Sequence, residues 1–154
     1  MRHIFLGIFV SLFVLTLVCT RGAAKEETVD ELKARYESAH PEDRPELAMK
    51  IAQHQLRDAD KFYVDGKVEQ ASAAVTDIVS YSEKARDYAT QTNKHVKNVE
   101  IDVRKIADKL RDIKRTLAFE DQPPVEQAIL RLEDIRTTLL QKMFAKDKKK
   151  DSKQ

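Results

Sequence analysis

Residues 67–117 read KVEQASAAVTDIVSYSEKARDYATQTNKHVKNVEIDVRKIADKLRDIKRTL. Apolar or small side chains recur along this stretch at spacings that alternate between three and four residues, namely at Val68, Ala71, Val75, Ile78, Ser82, Ala85, Ala89, Thr92, Val96, Val99, Val103, Ile106, Leu110, Ile113 and Leu117. A repeat of seven residues is typical of a helix that packs against other helices along one seam. Neither Gly nor Pro interrupts it, so the pattern permits one helix of roughly 50 residues, about 75 Å long.

The two halves of this seam differ in the size of their side chains. Small residues predominate as far as Thr92, and branched aliphatic residues follow from Val96. The segment Thr90–Asn93 has the lowest helix propensity of the stretch. We therefore predict that any break lies at Thr90–Asn93. A continuous helix gives an extended coiled-coil-like bundle, whereas a break near Thr92 gives a four-helix bundle.

Two further helices are predicted before this stretch. The sequence Thr28-Val29-Asp30-Glu31 matches a capping box, which starts a helix. This helix must end before Pro41, because the residue that precedes a proline is disfavoured in the helical region. Pro45 suits the first turn of the second helix, and Gly66 suits its C-terminal cap.

One more helix is predicted after it. Pro123 and Pro124 end the long helix, and the last helix runs from Val125 to about Phe144. Each half of the long helix then has an antiparallel partner. The predicted fold is all-α, built of antiparallel helical hairpins within one helical domain, residues 25–144. Residues 145–154 lack apolar periodicity and are predicted to form a disordered, Lys-rich tail.

Composition supports the all-helical interpretation. The chain has 154 residues with 3 Gly, 4 Pro, no Trp and 35% charged residues, which is poor in turn formers. Sandwiches, barrels and Gly-rich phosphate loops are unfavourable for such a sequence. The length fits a single domain or an extended helical rod.

The N-terminus matches the pattern of an export signal. Arg2 precedes an apolar run, Ile4–Val18, and the small residues Gly22 and Ala24 suit the specificity of a signal peptidase. We predict a signal peptide at residues 1–24, cleaved after Ala24, and a secreted or periplasmic protein. Two alternatives stay open: an uncleaved membrane anchor through Ile4–Val18, or a lipoprotein attached through Cys19.

Cleavage after Ala24 leaves a chain without cysteine, which excludes thiol catalysis and Cys-ligated metals. That chain has 26 basic and 26 acidic residues, and the segment from Lys142 onwards carries six Lys and two Asp. The tail is therefore basic, and we interpret it as a solvated solubility tail. Weak contact with an anionic surface, either a membrane or an envelope polymer, stays open as the alternative. We expect no nucleic-acid partner for an exported protein.

The remaining chemistry-bearing residues predict no catalytic, cofactor or metal site. Glu37 and His40 have the Glu-x-x-His spacing of di-iron bundles, but the second copy that such sites need is missing. His54 is followed one turn later by Asp58, with no nucleophile at helical spacing nearby. These residues are expected to lie in solvated or boundary positions.

Two functional hypotheses follow. The first is a non-enzymatic helical protein that associates with itself or with another helical protein through a coiled-coil-like face, and the small residues near Ala85 and Ala89 are expected to admit the second helix. The second is a ligand-binding protein or enzyme with a core pocket near His54, assisted by Tyr63 or Tyr81.

Overall fold

A computed structural model describes residues 27–151, with side chains from 27 to 145. Within this range the chain has no strand and forms a 3-10 turn and five α-helices: α1 (Val29–Ser38), α2 (Arg44–Val64), α3 (Val68–Thr92), α4 (Val96–Thr116), the 3-10 turn (Phe119–Asp121) and α5 (Gln122–Asp151). The all-α prediction is confirmed. The predicted signal segment, residues 1–24, lies outside the described residues.

The hairpin of α2 and α3 turns at Gly66. This glycine has φ +72°, a left-handed conformation that other residues adopt only at a cost. Its N–H donates to the carbonyl of Tyr63 at 3.1 Å, and the N–H of Lys67 donates to the carbonyl of Phe62 at 2.8 Å. This is the Schellman arrangement that ends many helices.

Small side chains allow α2 and α3 to approach closely. The fully buried alanines of this hairpin are Ala48, Ala52, Ala59, Ala71, Ala85 and Ala89. Two hydrogen bonds join α2 to α3, one from Arg44 to Tyr88 and the other from Gln55 to Asp77. The expectation that Ala85 and Ala89 would admit a further helix is therefore wrong, because both already lie in the core of this chain.

The long heptad stretch is divided into two helices, α3 and α4. The division lies at residues 93–95, where Asn93 and His95 have φ values of 56° and 61°. Asn and His tolerate this conformation better than most residues with a side chain. The break falls at the end of the predicted window, and Thr92 is still helical. The chain thus folds back into the bundle that was predicted for a broken helix.

Helices α4 and α5 form the second hairpin. Arg136 donates to Glu100 at 2.8 Å, and Lys114 lies 3.1 Å from Glu126, as an antiparallel register requires. This hairpin packs on the first one, and one contiguous core contains residues of all five helices. Helices α2, α3, α4 and α5 form the four-helix bundle, and α1 packs on α2.

The bounds of α5 correct the prediction of a disordered tail from residue 145. The helix continues to Asp151, seven residues beyond the predicted limit. Ala and Lys are good helix formers, and extending an existing helix avoids the cost of nucleation. The absence of apolar periodicity therefore did not predict the loss of helical structure.

Candidate interaction surfaces

A cluster of three tyrosines fixes α1 to the bundle. The ring of Tyr36 meets the rings of Tyr81 and Tyr88 edge-on, with centroids 5.8 and 6.5 Å apart. The guanidinium of Arg44 lies 5.1 Å from the centroid of Tyr88, and the ammonium of Lys84 lies 4.4 Å from that of Tyr81. Such cation–π contacts add to the apolar packing.

Burial makes Tyr36 a poor acid. Its side chain is buried, and burial raises the pKa of its phenol from 10.0 to about 12, with a smaller contribution from Tyr88 and an opposing one from Arg44. A phenol that stays neutral is neither a base nor a nucleophile at neutral pH. Sequence analysis missed this cluster, although Tyr81 and Tyr88 are seven residues apart, which places them on one face of α3.

Asp77 reinforces the attachment of α1. Its carboxylate accepts hydrogen bonds from Lys33 of α1 and Gln55 of α2, both at 3.1 Å. One carboxylate of α3 therefore joins three helices. The arrangement stabilises the fold and leaves little of this carboxylate available for chemistry.

The predicted pocket near His54 takes the form of a shallow surface depression. It has a volume of about 270 Å³ and is lined by His54, Leu32 and the exposed side chains of Lys50 and Arg57, among others. Tyr81 belongs to the tyrosine cluster, and Tyr63 lies at the far end of α2, so the structure does not gather these three residues into one pocket.

The Glu37–His40 pair is also dispersed. Both residues are exposed, and His40 lies in the loop after α1. Across residues 27–151 no group of three or more His, Cys, Asp or Glu side chains is arranged to hold a metal ion.

One end of the bundle exposes large apolar side chains. Val64 is the last residue of α2 and is 83% exposed, while Phe119 precedes α5 and is 85% exposed. Their turns lie at the same end of the bundle, where Lys109 of α4 lies 3.1 Å from Asp60 of α2. Burial raises the pKa of the Tyr63 phenol there, and the nearby carboxylate of Asp121 raises it further. We call Val64 and Phe119 the apical pair.

A groove between α3 and α5 opens towards this end. It has a volume of about 550 Å³, with Val79 and Ala128 in its walls and Pro123 at its apical end. The ion pair of Glu83 and Arg131, at 2.6 Å, lines its other end. The heptad pattern did not indicate Phe119, because this residue lies in a connection outside the seam. An aromatic residue in such a connection was the available signal.

The opposite, basal end of the bundle is basic. His95, Lys97, Lys142 and Met143 line a depression of about 390 Å³ between the start of α4 and α5. Phe144 follows on α5 and is 63% exposed. We call these five residues, together with α5 beyond Phe144, the basal surface.

None of the helices within residues 27–151 is both long enough and apolar enough to cross a membrane. No protein-family model, curated protein or solved structure matches this chain. The fold and its exposed surfaces are therefore the basis on which function is argued.

Proposed function

We propose that this protein is an exported, non-enzymatic helical bundle that acts by binding a second copy of itself or another helical protein through its apical end. The observation that carries the proposal is the apical pair. Among the described side chains, Phe119 and Val64 are the most exposed of the large apolar ones, while most of the heptad seam is buried inside the chain.

Energetics favour an apical interface. Fully burying a Phe or Val side chain contributes about 1.5–3 kcal/mol. The adjoining groove offers Ser72, Thr76 and Ser80 on α3, and short side chains let a partner helix approach closely. A partner that covered both the apical pair and the groove would bury a continuous surface.

Export is supported by the basic start, the apolar run Ile4–Val18 and the small residues before Lys25. The non-enzymatic part of the proposal is supported by the dispersal of His54, Tyr63 and Tyr81. These residues lack the mutual geometry of a nucleophile, a base and an orienting group.

Two experiments test the proposal, both on the chain that starts at Lys25. One is sedimentation velocity across a wide concentration range, and the other is affinity capture from the native envelope or secreted fraction. We expect self-association or one specific helical partner, and we expect the double variant Val64→Ser/Phe119→Ser to lose it. Leu130→Ser is the matched control, because Leu130 is 66% exposed on α5.

Two results would refute the apical interface. One is a strictly monomeric chain that captures no partner. The other is association that the apical double variant retains in full, since binding must then use a different surface.

A further inference from the structure

We propose that the basal surface binds reversibly to the surface of an anionic lipid bilayer. The proposal is independent of the apical interface, which lies at the other end of the bundle. It rests on three features of the basal end: the extension of α5, the charge it carries, and an exposed aromatic residue at its base.

Helix α5 extends past its antiparallel partner. Val96, the first residue of α4, lies beside Lys142 and Met143 around the basal depression. The helix then continues to Asp151, which adds about 12 Å at 1.5 Å per residue. This last part of α5 has no counterpart in α4 and protrudes from the basal end.

The protruding part is basic. From Phe144 to Asp151 the sequence has four Lys and two Asp, a net charge of about +2, and Lys142 at its base adds one more positive charge. Lys97 and His95 lie at the same end. The first turn of α4 has no acidic residue to offset the positive end of its helix dipole.

Acidic side chains near the basal end are partly neutralised. The carboxylate of Glu42 is paired with Lys94, and Glu46 lies 2.9 Å from Lys50. Asp43 is exposed at the start of α2 and subtracts one charge. Asp102 lies near His95 and subtracts another charge. The balance at this end stays positive because α5 from Lys142 to Asp151 has five Lys against two Asp, and Lys97 adds one more positive charge.

Phe144 favours a bilayer over a soluble polyanion. It is 63% exposed at the base of the lysine-rich extension, next to the half-buried Met143. Basic helices that also present apolar side chains bind at the interface of anionic membranes, where the apolar group enters the headgroup region. A soluble polyanion has no apolar interior to take up Phe144.

Vesicle co-sedimentation tests this proposal. The chain that starts at Lys25 is used, because Ile4–Val18 would itself enter a bilayer and because the described core lies entirely after Lys25. The probes are vesicles of phosphatidylcholine with phosphatidylglycerol, vesicles of phosphatidylcholine alone, and heparin. We expect binding to the anionic vesicles, weaker binding to heparin and none to the neutral vesicles, and we expect weaker binding as salt is raised.

The decisive variant is Lys148→Gln/Lys149→Gln/Lys150→Gln. Each lysine near an anionic surface contributes about fivefold to binding, so this variant should bind roughly a hundredfold more weakly. The control Lys61→Gln/Lys67→Gln/Arg115→Gln removes the same charge from exposed positions near the apical end. It should retain most of the binding.

Phe144→Ser separates a bilayer from a polyanion and should weaken vesicle binding only. The proposal is overturned if both triple variants lose binding equally, because net charge alone would then explain the effect. It is also overturned if the protein binds neutral vesicles as well as anionic ones. A third contradicting result is heparin binding as tight as vesicle binding, with Phe144→Ser changing neither the heparin binding nor the vesicle binding.

Discussion

Raising the pH from about 10 to 12 is expected to destabilise the protein through Tyr36. Burial raises the pKa of this phenol from 10.0 to about 12 in the folded state. The stabilising effect of the neutral phenol is therefore fully present below pH 10, and it is lost as pH rises towards the folded-state value. The difference between the two pKa values corresponds to about 2–3 kcal/mol of unfolding free energy.

Other groups at this site titrate in the same range. Burial also raises the pKa of Tyr81, and hydrogen bonding to Asp77 helps to raise that of Lys33. The Tyr36→Phe variant isolates the Tyr36 contribution, because it keeps the ring against its neighbours and removes only the ionisable hydroxyl. Contributions of the other groups are expected to be similar in both proteins.

The assay is urea unfolding followed by far-UV circular dichroism at a series of pH values from 8 to 12. Wild-type stability should fall more steeply than that of Tyr36→Phe, and the two curves should diverge by about 2–3 kcal/mol at the alkaline end. Parallel curves would refute the reasoning, since the phenol of Tyr36 would then ionise equally in folded and unfolded chains.

Four further predictions concern packing, the hairpin turn, an unpartnered hydroxyl and export. Ala85→Leu overpacks the fully buried α2–α3 contact and should lower the free energy of unfolding in urea by about 1–3 kcal/mol. Ala73→Leu, at an exposed position of α3, should change that free energy by less than about 0.5 kcal/mol, and equal effects of the two variants would contradict close packing. Gly66→Ala should lower the free energy of unfolding by about 1–2 kcal/mol in the same assay. The loss should come from backbone strain alone, because the added methyl would have no neighbouring atom within 4 Å, and an unchanged unfolding midpoint would contradict the left-handed turn. Tyr63→Phe should raise the unfolding free energy by about 1 kcal/mol, because the Tyr63 hydroxyl is buried without a hydrogen-bond partner among the described residues; a loss of stability would show that the hydroxyl is satisfied. N-terminal sequencing of the protein from its native compartment should begin at Lys25, and a start at Met1 would replace the cleaved signal with an anchor.

Local sequence signals predicted the start of α1 and the turn between α2 and α3 well. The capping box at the start of α1 is present, with the Thr28 hydroxyl 3.3 Å from the N–H of Glu31 and the Glu31 carboxylate 2.8 Å from the N–H of Thr28. Gly66 ends the first hairpin turn as expected. These features depend on residues a few positions apart, so the sequence contains the information needed to find them.

Exposed features were harder to predict, because exposure depends on which helices pack together. The heptad pattern identified Ala85 and Ala89 as seam residues but did not show that α2 would cover them. Phe119 lies in a connection and has no periodic neighbours that would mark it as exposed. The sequence therefore did not show that this part of the seam would be buried within the chain.

Folding back at residues 93–95 explains why the two proposed binding surfaces lie at the ends of the molecule. In a continuous helix, the half with small seam residues and the half with branched aliphatic ones would lie far apart. Each half would then need a separate helix to bury its seam residues. With the break, Ala85 on α3 and Val103 on α4 enter the same core, and both are fully buried. Little of the seam then remains for a partner. Among the described side chains, the two most exposed large apolar ones form the apical pair at one end of the bundle, and α5 continues beyond Phe144 at the other. The division of the long helix therefore creates the bundle and also places its two candidate surfaces at opposite ends.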